Sequence, residues 1–181
     1  MELPEIQKNY PVISAAANDV LSLLGPAFTN TPEDHVETDI SAAASLAGLS
    51  ILRSKGFDLR EFRPGSVLLS DLDTEMDEIW NFMMAAAKTM GLDPDGGWDK
   101  EIPEANKPIF SIPEMTHKTE KDFLLICKKY NLKPEFFPYV AVLAALKLVY
   151  AAEKMKILDQ NIGKSLAGYH VVAGAKTVPY P

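Results

Sequence analysis

Apolar positions recur with a helical period along most of this chain. VISAAANDVLSLLG follows Pro11, and Gly25-Pro26 closes it. Proline suits a first helical turn and glycine marks an end, so this spacing predicts a first helix. In PEDHVETDISAAASLAGLSILRSKG, Val36, Ile40, Ala43, Ala44, Ala47 and Ile51 share one face at a period of 3.6. Thr31 and Pro32 frame the start of this second helix. Glu33, Asp34 and Glu37 suit the positive end of its dipole, and Arg53 and Lys55 the negative end.

A third helix is expected from about Asp71–Asp73 to Met90, with Ile79, Phe82, Met83, Ala86 and Met90 on its stripe. A fourth begins near Met115 or Thr116 and ends at Tyr130, with Phe123, Ile126, Cys127 and Tyr130 spaced i, i+3, i+4, i+7. A fifth, central and nearly all apolar, covers 136–158, and a weaker, glycine-containing one spans Asn161 to Ala175. Gly56-Phe57, Gly91-Leu92 and Asn131-Leu132 share one pattern. A residue tolerant of the left-handed conformation precedes an apolar one, as at a helix C-cap. The helical period is lost over Asp58–Leu69, where Val67-Leu68-Leu69 reads as a short extended piece or a helical turn.

No run of four residues alternates with period two. The expected fold is therefore all-α, a single-domain bundle of five or six helices, with one long proline-rich loop over 92–113. The alanine triplets Ala15–Ala17, Ala42–Ala44 and Ala85–Ala87 fall in three different helices, where small side chains let axes approach.

The stretch Phe136–Ala152 has one charge, Lys147, and 17 residues. A spanning helix needs about 20, so the expectation is a buried helix and no membrane contact. The opening MELPEIQKNYP lacks an apolar h-region. With a lone Cys127, the expected location is the cytoplasm.

With 181 residues, 47% hydrophobic, the chain can bury a core without disulfide or metal. The formal net charge of −7 argues against a nucleic-acid partner. The charge is unevenly spread: residues 1–104 hold 19 acids and 7 bases, and residues 105–181 hold 6 acids and 11 bases. Such asymmetry points to contacts between the halves, within one bundle or between two subunits.

All three arginines lie in one short segment, with Arg53, Lys55, Arg60 and Arg63 forming a candidate site for a small anionic ligand. The competing reading pairs them with Asp58 and Glu61 and with the helix terminus. Asp71, Asp73, Glu75, Asp77 and Glu78 put five acids at one helix start, and Asp73 and Asp77 could hold Mg²⁺. His35 and Asp39, four apart, are a second metal candidate. DPDGGWDKEIPE imitates a calcium loop but has Trp98 where the sharp turn needs glycine, so Ca²⁺ is disfavoured. A single E-x-x-H, Glu114 to His117, is too little for a di-metal bundle site. His170, beside Tyr169, reads as a packed or interface histidine. Gly163-Lys164-Ser165 resembles a phosphate-loop ending but lacks the earlier glycine and strand. Cys127 sits on an apolar stripe and reads as inert.

Loop 92–113 carries Trp98, Ile109 and Phe110, which read as loop packing or as a lid or partner-binding arm. The leading functional expectation is a non-catalytic binding or interaction module, acting as a homodimer, with its groove between the acidic half and this loop. The alternative is a helical Mg-dependent enzyme acting on a phosphorylated small molecule. That alternative requires the arginine cluster and the acidic helix start to face one cavity.

Overall fold

The computed structural model describes residues 3–28, 35–68 and 73–181. Among them are six α-helices: α1 (Leu3–Ala27), α2 (Val36–Ser54), α3 (Asp73–Met90), α4 (Ile112–Lys129), α5 (Phe137–Lys154) and α6 (Gln160–Lys176). The all-α expectation holds, and among the described residues extended pairing is confined to one isolated antiparallel bridge between Val67 and Thr177.

Two helices form the centre. α2 is buried over Ile40–Leu49 without a break and again at Ile51 and Leu52. Its sequence showed one apolar face, but alanine, serine and glycine on the other faces are also enclosed. It packs most extensively against α6, then α5, and also touches α1 and α4. α5 is buried from Pro138 to Leu146, with α1, α3 and α6 around it. The segment Pro134–Lys154 is long and apolar enough to cross a membrane by composition, yet 67% of its apolar window is buried by the chain itself.

The α2–α6 crossing brings backbone against backbone. A Cβ added to Gly48 would lie 2.2 Å from the Val171 carbonyl oxygen and 2.4 Å from Ala175 N. A Cβ on Gly174 would lie 2.6 Å from the Ser45 oxygen. Ser41 and Ser45 are buried here with hydroxyls that find no partner. The crossing thus selects these serines for size rather than polarity.

Several helix boundaries differ from the sequence expectation. α1 begins at Leu3 and carries Pro11 inside it. Pro11 and Gln7 are exposed, so the carbonyl that loses its helical donor can face water. α2 begins at Val36 with His35 as its N-cap; the expected cap, Thr31, lies outside the described residues. The His35 Nδ1 accepts from Thr38 N at 3.3 Å. α4 starts three residues early because Glu114 caps it, accepting from Ser111 N at 2.8 Å and Ser111 Oγ at 2.6 Å.

α5 starts at Phe137, after a 3₁₀ turn at Pro134–Phe136, and stops at Lys154, short of residue 158. Lys156 adopts φ 58° and the Ile157 N–H closes onto the Ala152 carbonyl at 2.9 Å. Gly91-Leu92 and Asn131-Leu132 close their helices in the same way, with Leu92 N on Ala87 O and Leu132 N on Cys127 O. Gly56 also takes the left-handed conformation expected of it, at φ 66°, so the sequence pattern found three of these helix ends and missed the one at Lys156.

α5 and the Gly/Ala-rich α6 bury most of their residues within the chain, with Tyr169 and Val172 of α6 left exposed.

If the α2–α6 crossing is limited by size, Gly48→Ala will lower stability by about 3 kcal/mol, from overpacking against backbone. Ser45→Ala, which removes an unpartnered buried hydroxyl, will raise it by about 1 kcal/mol. Urea denaturation of the two variants checks both signs.

Candidate functional site

The expected loop 92–113 ends at Ser111, because Ile112 and Pro113 belong to α4, and it is fastened to the bundle at both ends. At its start, the buried Lys164 of α6 reaches into the loop. Its ammonium donates to the Asp93 carbonyl at 2.7 Å and also to the Gly96 carbonyl. The next residue, Ser165, donates its hydroxyl proton to the Gly97 carbonyl at 2.6 Å. Gln160 accepts from Asp93 N, and Trp98 Nε1 donates to the Pro94 carbonyl. Gly97 adopts φ 82°, and its missing Cβ leaves room for Asn161. The Gly163-Lys164-Ser165 string therefore binds peptide carbonyls of its own chain.

This arrangement explains the resemblance to a calcium loop. The turn from Asp93 does wrap a cation, but the cation is the Lys164 ammonium. Burial lowers its pKa, while Asp93, Asp159 and Asp95 act in the opposite sense.

The far end of the loop is held by α2. Asn106 donates to Glu37 at 2.7 Å, and Ile109 N donates to the Thr38 hydroxyl at 3.1 Å. That hydroxyl lies 3.0 Å from His35 Nδ1. His35 is thus the cap of α2 and a support for the loop. The Phe110 ring packs 5.5 Å from Phe28, with the Lys118 ammonium 5.3 Å from its centroid. Ile109 is half exposed.

Between the loop, α3 and α6 lies a cleft of about 910 Å³. Trp80 of α3 and Trp98 of the loop meet edge to face at 5.2 Å. Gly168 makes the wall possible, since a Cβ there would come within 3.2 Å of the Trp80 ring. Phe110 and Ile112 line it too, with Lys100, Lys107, Asp99 and Glu101 also lining it. Lys107 is paired with Glu104.

His170 also lines the cleft and is 4% exposed. Its Nδ1 is 2.9 Å from the Leu166 carbonyl. Nδ1 therefore carries the proton and Nε2 keeps a lone pair. Burial lowers its pKa to about 4, against the opposing effect of the Leu166 hydrogen bond. The ring is neutral at physiological pH. Sequence alone read His170 as a packed or interface histidine; its periodicity carried no sign of the cleft. Trp80 lies off the core stripe of α3, which was the one available signal for it.

The arginine cluster is dispersed into internal pairs. Arg53 grips Glu120 with two nitrogens, at 3.1 and 3.2 Å. Arg60 grips Asp58 the same way, at 2.9 and 2.7 Å. Lys55 reaches Glu75 of α3 at 2.5 Å. Arg63 is exposed at the Pro64-Gly65 turn. Arg53 lines a cleft of about 800 Å³ with His117, Phe123 and Phe137, and a smaller one of about 450 Å³ with Phe57, Arg60 and Tyr180. None of these clefts includes Asp77, which is exposed. The side chain of Asp73 and all of Asp71 lie outside the described residues. Asp39 is within the first turn of α2, and His35 precedes it as the cap. Among the described residues, no three His, Cys, Asp or Glu side chains converge as a metal would need. Glu114 is engaged by Ser111, and His117 stacks edge-on with Tyr180. Cys127 is fully buried, with its thiol pushed up to about 12.

Two outcomes follow. The folded-state pKa of His170 lies below the ordinary 6.5, so the unfolded chain binds the proton more readily. Stability therefore falls as pH drops from 6.5 towards 4, by about 2–3 kcal/mol from this group. His170→Phe will remove that part of the acid sensitivity in paired urea titrations. Lys164→Met will leave the carbonyls of Asp93 and Gly96 unmet, lowering stability by about 2–3 kcal/mol. Hydrogen exchange in residues 93–98 will show the loop start loosening.

Compared with family models, with characterised proteins and with solved structures, the chain has no match.

Proposed function

We propose that this protein is a non-catalytic binding module, with its ligand groove in the cleft beneath loop 92–113. The observation that supports this reading is a cleft of about 910 Å³ walled by Trp80, Trp98 and Phe110. That volume is in the range of small-molecule sites, which are concave, mostly apolar and carry few polar groups. The walls are preformed. Lys164, Ser165, Thr38 and Glu37 hold the loop through its backbone and Asn106, so little ordering entropy is lost on binding.

The alternative, an Mg-dependent enzyme for a phosphorylated substrate, has less support. Arg53 and Arg60 spend their planar donor pairs on Glu120 and Asp58. No cleft described above joins the arginines to Asp77. For a homodimer, α5 and α6 offer little free surface, and the reading rests on exposed Leu124 and Leu125 of α4. We also keep the cytoplasm as the proposed location, on the lone thiol of Cys127.

The chain has 2 tryptophans, and both line the cleft. A thermal-shift screen of small molecules, read together with tryptophan emission, therefore tests the groove directly. A ligand of this groove will raise the melting temperature and change the emission. Trp80→Ala, partly exposed in the native fold, will melt close to wild type yet lose at least tenfold in affinity. Ligands that stabilise the chain without altering emission would place the binding site elsewhere.

A further inference from the structure

The two most buried polar side chains that line this cleft, Ser165 and His170, both present acceptors. Ser165 is 2% exposed, and its only proton is committed to the Gly97 carbonyl at 2.6 Å, leaving lone pairs. His170 has its only N–H committed to the Leu166 carbonyl at 2.9 Å, and among the described residues its Nε2 makes no hydrogen bond. Trp98 is committed likewise, since its N–H donates to the Pro94 carbonyl at 2.8 Å. The backbone of the loop and of α6 has thus taken up the donors of three lining side chains. An apolar ligand would leave the His170 acceptor dry and unmet, which costs free energy.

Charge narrows the class further. The ammonium of Lys164 stands 5.7 Å from the Trp98 ring centroid, and that of Lys118 stands 5.3 Å from the Phe110 centroid. Two of the aromatic walls already carry a cation, so an organic cation would be repelled there. An anionic group would face the lone pairs of Ser165 and His170.

We propose that this cleft takes a flat aromatic molecule bearing an N–H or O–H donor, which it gives to His170 Nε2. The ring of such a ligand lies against Trp80, Trp98 and Phe110. The inference rests on reading the cleft as the ligand groove.

Indole and N-methylindole are suitable probes, because they share a flat bicycle and differ in the donor. The isotope-labelled full chain shows two tryptophan side-chain N–H resonances, both from the cleft. Titration will shift both with either probe, and indole will bind about tenfold more tightly, the worth of one net hydrogen bond. In His170→Phe that preference will fall to threefold or less, with the affinity for N-methylindole kept. Should that variant not fold, the wild-type ratio and a shift of the His170 ring Hε1 with indole alone carry the test. Equal affinity for the two probes in the wild type overturns the donor inference and leaves the groove reading standing. No shift with either probe overturns the inference as well, while the groove reading is judged by the wider ligand screen.

Discussion

The approach of α2 to α6, backbone against backbone, is the constraint on which the rest depends. Gly48 and Gly174 are each placed where a single methyl group would strike main-chain atoms of the opposite helix. Because that contact is dense, α6 is fixed in rotation as well as position. Its inner face, with Val171, Gly174 and Ala175, belongs to α2. Lys164 and Ser165 reach the loop, and Ser165, Gly168, Tyr169 and His170 line the cleft. A shift of this helix would disturb the core, the loop and the cleft together, since close-packed interiors have few ways to relax.

Loop 92–113 shows how a long segment without regular structure is held. Peptide carbonyls that would otherwise lie unmet are taken by a lysine and a serine on a helix, and a peptide N–H by a threonine. A buried ammonium is costly unless its protons are met. Here the acidic turn at Asp93 meets them, so the turn and Lys164 satisfy each other. This is also why the apolar residues of the loop, with Trp98 foremost, form a wall rather than a free arm.

The uneven charge of the chain is met partly within it. Lys129 of α4 binds Asp19 of α1 at 2.7 Å, with the Tyr130 hydroxyl on the same oxygen at 3.1 Å. Arg53 of the acidic half binds Glu120 of the basic half. These pairs are at the surface, so they orient helices more than they stabilise them. Their effect on function is subtractive: Arg53 here, and Arg60 through Asp58, are occupied, which leaves Arg63 of the arginines whose clustering had suggested a site for an anion.

The sequence by itself determined the all-helical class, the core stripes of α3 and α4, three glycine- or asparagine-closed helix ends and the inertness of Cys127. Each follows from interactions within a few residues, which periodicity and capping chemistry express locally. It also marked Trp98 and Phe110 as loop residues that must pack. Only the tertiary structure decided what those residues pack against. Lys164 and Asp93 are 71 positions apart, and no local pattern in either segment signals the other. The same holds for His170, an ordinary helical position until the loop and Trp80 close a cleft over it. The start of α1 was misread because Pro11 lies on an exposed face, where water can replace the helical bond that proline removes. The arginine cluster was overvalued for the related reason that a charge pattern along the chain does not show which acids the fold brings opposite it.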